Sequence, residues 1–158
     1  MATITIDYTT LCGKGIPAVN ASGYGPILRQ KVNCVLTPLL ASKSYSLFKI
    51  PKGFVKRHAV VNVTTASAAA TTLSVGSNQK DGSGNQIVYN ATVALNAVAS
   101  TLLDIDKPTE TADANVTAKT VAGDDEYLVV IPSANCADAK FEISLAGDFM
   151  LNPQDTNL

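Results

Sequence analysis

Between Ser44 and Ala66 the chain reads SYSLFKIPKGFVKRHAVVNVTTA, a strand, a tight corner and a second strand. Ser44–Ile50 is rich in aromatic and β-branched residues, which suit a pleated, half-buried surface. Pro51 removes a backbone donor and Gly53 frees the backbone, so the chain turns there. Beyond the corner, Val55, Arg57, Ala59, Val61 and Val63 alternate with Lys56, His58, Val60, Asn62 and Thr64. A period of two sends side chains to opposite faces of a strand and is incompatible with a helix. The pattern places Lys56 and His58 on one face and Arg57 on the other.

The rest of the chain repeats this grammar. Ile4, Ile6 and Tyr8 alternate with Thr3, Thr5 and Asp7, while residues 9–26 carry Gly and Pro and hold no period. Residues 27–36 alternate again, with Leu28, Val32, Cys34 and Leu36 on the apolar side. Further strands are expected at 71–76, 86–93, 114–121, 126–131 and 139–151, with turns at 77–86 and 105–112. Residues 92–104 fit a short helix or a strand. PSANCADA is expected to close a hairpin between the last two strands. Only three Glu occur and charged residues make up 16%, against about 25% in ordinary globular proteins. Long helices need such residues on their surfaces. Short strands at roughly 10-residue spacing predict an all-β fold, a β-sandwich of jelly-roll-like form. A chain of 158 residues buries roughly 70% of its unfolded surface as one domain. The expected division is an extended N-terminal arm over 1–25 and a sandwich over 26–158.

Charge is unevenly distributed along the chain. Residues 1–80 hold nine Lys or Arg and one acid, residues 81–158 three Lys and twelve acids. Interleaving of the two halves in one sandwich neutralises them within the fold; segregation gives a basic and an acidic face that orient copies. The three cysteines, Cys12, Cys34 and Cys136, have no metal spacing. They read as reduced, buried, small apolar residues. The N-terminus lacks the basic and apolar regions of a signal peptide, and no window approaches about 18 uninterrupted apolar residues.

Little in the chain is equipped for catalysis. His58 is the one histidine, and its expected strand neighbours make neither a triad nor a zinc site. The acids at 104–106 and 124–126, and the DGSGN run at 81–85, read as turns without calcium-loop spacing. No catalytic, cofactor or metal residue is assigned. Lys49, Lys52, Lys56 and Arg57 gather at the corner near Tyr45 and Phe48. A stacking platform for nucleic acid needs such a set, but a pI near 5.7 is wrong for the usual basic footprint.

Two stretches, LFKIPKGFVKRHAVVNVTTASAAATTLSVGSN and YLVVIPSANCADAKFEISLAGDF, resemble small virion proteins of tailed bacteriophages. These proteins share a strand, an I-P-x-G corner, a V-x-V-x-T-A strand and a closing aromatic-x-hydrophobic strand. The resemblance covers residues 44–78 and 126–149. It implies a capsid decoration (auxiliary head) protein, a sandwich present in multiple copies and without an active site. Such a protein clamps neighbouring capsomers on the exterior of a virion assembled in the host cytoplasm. The implied partners are the major capsid protein and the chain itself, as a trimer, with no cofactor, no membrane and no direct nucleic-acid contact. The candidate contact residues are Ile4, Ile6, Tyr8 and Tyr24 on the arm, and Lys52, Lys56 and Arg57 at the corner. An arm of this kind adds a strand to a neighbour's sheet edge. The alternative reading is a host-recognition or carbohydrate-binding sandwich of a phage fibre or bacterial surface.

Overall fold

A computed structural model describes residues 6–7, 20–22, 25–80, 84, 86–103, 105 and 122–149. The expected strand at 114–121 lies outside these residues. Among the described residues there are ten strands: β1 (Ile6–Asp7), β2 (Asn20–Ser22), β3 (Gly25–Asn33), β4 (Tyr45–Ile50), β5 (Phe54–Thr65), β6 (Thr72–Lys80), β7 (Gln86–Ala94), β8 (Ser100–Leu103), β9 (Glu126–Pro132) and β10 (Lys140–Phe149). They form two five-stranded sheets, β1-β4-β9-β6-β7 and β2-β3-β10-β5-β8. Pairing is antiparallel except where β1 runs parallel to β4. The protein is an all-β sandwich.

Two apolar faces meet in the middle. Leu28 and Val32 of β3, Ala59, Val61 and Val63 of β5, and Phe141, Ile143 and Leu145 of β10 are buried from one sheet. Phe48 and Ile50 of β4, Leu73 and Val75 of β6, and Leu128 and Val130 of β9 face them from the other. These are the alternate positions of each strand, as the period of two requires. The corner forms as the sequence predicts: Gly53 takes φ +79°, and the Phe54 N–H donates to the Pro51 carbonyl at 3.0 Å. It carries the chain from one sheet to the other.

The structure departs from the sequence expectation at four places. First, Ala146 pairs with His58 and Gly147 with Lys56, so Arg57 is an extra residue in β5. This β-bulge shifts the phase by one residue. Arg57 and His58 are both exposed, and Lys56 turns inward beside Phe54. Second, residues 77–80, expected in a turn, continue β6, and residues 100–103 resolve as strand β8. Third, residues 133–139 join β9 to β10 in the opposite sheet, so they form a crossover and not a hairpin. Fourth, Leu36 leaves the apolar face: β3 ends at Asn33, and the Leu36 and Thr37 N–H groups fold back onto the Asn33 carbonyl. Within the stretch expected to be an arm, β1 and β2 lie at the outer edges of the two sheets.

Candidate functional site

The inward turn of Lys56 builds a buried polar cluster between the two sheets, toward the Pro51–Gly53 corner. Its side chain is 1% exposed and that of Glu126 2%. Lys56 Nζ donates to Glu126 Oε1 at 2.5 Å and to the Tyr89 hydroxyl at 3.1 Å. Ser77 Oγ donates to the same carboxylate oxygen at 2.9 Å, and the Gly123 N–H donates to Oε2 at 3.0 Å. The ammonium also lies 5.7 Å from the centre of the Tyr89 ring, within cation–π range. Lys56 belongs to β5, while Glu126, Ser77 and Tyr89 belong to β9, β6 and β7. The cluster therefore bolts one sheet to three strands of the other. Burial holds the Lys56 ammonium below the usual lysine range, against the opposing pull of Glu126. Burial, reinforced by the Glu126 charge, pushes the Tyr89 hydroxyl well above the usual tyrosine range. Each named polar group has a partner, as buried polar groups must. The set is sealed from solvent, so it acts as a structural tie and a device for register.

Lys56 is thus corrected from a surface contact to a core residue. The bulge at Arg57 was not legible from alternation. Lys52 and Arg57 do lie on the surface, with side chains 72% and 60% exposed. Lys52 pairs with Asp124 at 3.0 Å and Arg57 with Asp148 at 3.2 Å. The backbone of Ile6 sits in β1, at a sheet edge. Ile4, Tyr8 and Tyr24 fall outside the described residues. His58 is exposed. Tyr45 and Phe48 are buried, so the corner offers no aromatic platform for bases.

The uneven charge resolves by interleaving. The remaining ion pairs are Arg29–Glu142 at 3.3 Å and Lys49–Asp125 at 2.5 Å. All five pairs found among the described residues join a base of the first half to an acid of the second. Lys49 is held above, and Asp125 below, its usual range by their mutual hydrogen bond and charge.

One end of the sandwich has a different character. It is made by the connections 34–44, 66–71, 95–99 and 133–139. Their sequences, CVLTPLLASKS, ASAAAT, LNAVA and SANCADA, contain two charged residues, Lys43 and Asp138, and no aromatic. The exposed large apolar side chains here are Val35 at 57%, Leu36 at 79%, Leu40 at 48% and Val98 at 69%. Leu102, 66% exposed, follows on the adjoining edge strand β8.

These loops are fastened to one another. Leu39 and Cys136 exchange backbone hydrogen bonds at 2.8 Å, and the Cys34 N–H donates to the Ala139 carbonyl at 2.9 Å. Ser67 donates to Leu95, and Leu95 to Thr71. The Ala68 N–H donates to the Asp138 carboxylate at 2.7 Å, a bond that holds that carboxyl below the usual range. Cys34 and Cys136 are free thiols buried beneath this end. Burial, with Cys136 and Asp138 adding to it, pushes the Cys34 thiol up to about 12. Cys12 lies outside the described residues.

Two concavities mark the outward faces. One, of about 480 Å³, lies on the sheet of β4, β9 and β6 and is lined by Ser46, Asn78, Lys80, Gln86 and Tyr127 among others. Tyr127 is its single aromatic. The Asn78 amide donates to the Asp125 carbonyl and accepts from the Tyr127 N–H, which fixes its orientation. The other, of about 290 Å³, lies over β3, β10 and β5 and is lined by Lys31, Asn62, Lys140 and Glu142 among others. Among the described residues no cluster of His, Cys, Asp and Glu is arranged to hold a metal ion. No helix there is long and apolar enough to cross a membrane.

No family model matches this sequence, and no curated protein matches it either. In fold it is similar to a solved chain described as "Capsid of Ralstonia phage GP4". The identity is 15%, the TM-score 0.60, and the match covers 94% of this chain and 100% of that one. The two chains thus share an all-β sandwich over nearly their whole lengths.

Proposed function

We propose that this chain is a structural protein of a phage virion, a decoration protein that docks on the capsid exterior and stabilises the shell without catalysis. The observation that carries this reading is the end-to-end fold likeness to a phage capsid chain of comparable length. The strand order supports it. Taking the eight longer strands, the sheets run β3-β10-β5-β8 and β4-β9-β6-β7. That is the order of a jelly roll, two Greek keys wound into one sandwich, an architecture common in viral capsid proteins. The buried, fully partnered ionic cluster fits a rigid body that acts by what it touches.

In this reading the partners are the major capsid protein and further copies of the chain, assembled as a closed trimer. The chain meets neither membrane nor nucleic acid directly. It assembles in the host cytoplasm and remains on the virion surface. The arm residues Ile4, Ile6, Tyr8 and Tyr24, with Lys52 and Arg57, are its proposed contacts with the shell. The test is to purify particles of the virus that encodes the chain and measure its stoichiometry and radial position by mass spectrometry and cryo-electron microscopy. A fixed copy number per capsomer on the outer surface is expected; absence from particles refutes the proposal. Among the described residues, deleting 1–25 removes the short edge strands β1 and β2 and Gly25, the first residue of β3. The deletion is expected to leave the sandwich folded while weakening shell binding, and undiminished binding discards the arm as a contact.

A further inference from the structure

We infer that Cys34 and Cys136 are a latent cross-link, joining as a disulfide once the folded chain leaves a reducing cytoplasm. The timing rests on the proposed reading that the chain ends on a virion outside the cell. The bond itself rests on the fold.

The backbone brings the two residues together. Cys34 follows β3, and its N–H donates to the Ala139 carbonyl at 2.9 Å. Cys136 lies in the β9–β10 crossover and exchanges backbone hydrogen bonds with Leu39 at 2.8 Å. Segments 34–39 and 136–139 are thus pinned to each other at both ends. Both cysteines are buried in the core, and their thiols share a hydrogen bond. Most cysteine pairs cannot be bridged because their side chains diverge. A pair whose sulfurs already meet has passed that condition. Among the described residues no group of His, Cys, Asp and Glu is set to hold a metal, so the pair is not read as half of a metal site.

The reaction is exchange with a low-molecular-weight disulfide, oxidised glutathione, which is the oxidant the inference requires. One cysteine thiolate attacks a glutathione sulfur, the glutathione S–S bond breaks, and one glutathione thiolate leaves. The second cysteine thiolate attacks the protein sulfur of this mixed disulfide, and the second glutathione thiolate leaves. The two cysteine protons end on the two departing thiolates. Two thiols have lost two electrons, and one disulfide has become two thiols. In the cytosol the glutathione pool keeps both cysteines reduced, so the chain folds without mispairing through Cys12. Exchange needs both thiolate and access. Burial therefore makes the bond slow to form, and afterwards shields it from reductants.

The bond ties the exit of β3 to the crossover that leads into β10. The cysteines stand 102 residues apart in the chain. Closing a loop of that length restricts the unfolded chain enough to raise the melting temperature by on the order of 10 °C.

The test unfolds the full chain in urea and dialyses it to native buffer over a glutathione redox couple. The three cysteines then sample every pairing before the fold closes. Trypsin separates them into peptides 1–14, 32–43 and 120–140, and mass spectrometry without reductant reads the linkage. The expected product joins 32–43 to 120–140, leaves Cys12 outside the link, and melts higher than the same sample in dithiothreitol. Cys136→Ala is expected to lose both the link and the melting difference between oxidising and reducing buffer, and Cys12→Ser to keep both. Free thiols throughout, a link through Cys12, or a linked chain that melts no higher than the reduced one overturns the inference. In purified particles the same linked peptide is expected. Particles that carry the chain with Cys34 and Cys136 unlinked also overturn it. A chain that forms the bond in vitro but is absent from particles overturns the decoration reading and leaves the bond standing.

Discussion

Replacing Glu126 with glutamine strips the buried Lys56 ammonium of its counter-charge while keeping the side chain's size. The carboxylate accepts three hydrogen bonds, from Lys56 and Ser77 on one oxygen and from Gly123 on the other. A glutamine has one carbonyl oxygen. If that oxygen keeps Lys56 and Ser77, its NH2 group confronts the Gly123 N–H and one donor is orphaned. An unsatisfied buried donor costs ~1–3 kcal/mol. Removing one member of a buried ion pair costs ~3–5 kcal/mol in all, because the other charge stays buried uncompensated. For a domain of this size that corresponds to a fall on the order of 10 °C in melting temperature.

The loss depends on pH in a defined direction. Lys56 is already held low by burial, with Glu126 opposing. Without that opposition it falls further. The folded variant then sheds its proton at a lower pH than the unfolded chain, so the unfolded chain binds more protons and stability rises with pH. The rise spans the interval from the lowered folded value up to the ordinary lysine value of 10.5. Urea unfolding followed by circular dichroism and tyrosine fluorescence at about pH 6, 8 and 10 measures it. The variant's deficit is expected to be largest near pH 6 and to narrow toward pH 10. A deficit below ~1 kcal/mol, or one that does not narrow, refutes the view that a charged Lys56 is tied by Glu126.

Two other perturbations follow from close packing and burial. A Cβ at Gly76 would collide with the Ile87 carbonyl across the β6–β7 pair. Gly76→Ala is therefore expected to cost ~1–3 kcal/mol in a urea titration, and a neutral result means the two strands can spread. Cys34 and Cys136 are buried, and the Cys34 thiol titrates only near 12, so little thiolate exists at neutral pH. Both are expected to resist a thiol reagent in the native protein at pH 8 and to react in denaturant; rapid native labelling of Cys34 refutes the burial.

The sandwich was legible in this sequence because its longer strands keep their period over most of their length. Val61 and Val63, and Phe141, Ile143 and Leu145, face the core as alternation requires, and the Pro51–Gly53 corner falls where the backbone chemistry places it. Alternation fails at Arg57, because a bulge is fixed by what β10 presents opposite it, with Gly147 allowing the close approach. A Cβ on Gly147 would strike the Val55 carbonyl and the Phe54 ring. That information lies some 90 residues away in the chain. The burial of Lys56 was hidden for the same reason: its partners come from β6, β7 and β9, and local pattern cannot see them. The apolar end was also invisible one loop at a time. Four stretches poor in charge become a surface only once the strand order brings them together.

The placement of the final strands has a consequence for how the chain is made. β10 is the last strand among the described residues yet sits between β3 and β5, and β9 likewise sits between β4 and β6. A ribosome delivers these centrepieces only after everything that flanks them. Until then β3 and β5 have no neighbour to hold them together, and their bare edges invite pairing with the wrong chain. Folding of the sandwich must therefore wait until β10 has been made, and nascent fragments stopping short of residue 140 should prove insoluble or bound to chaperones.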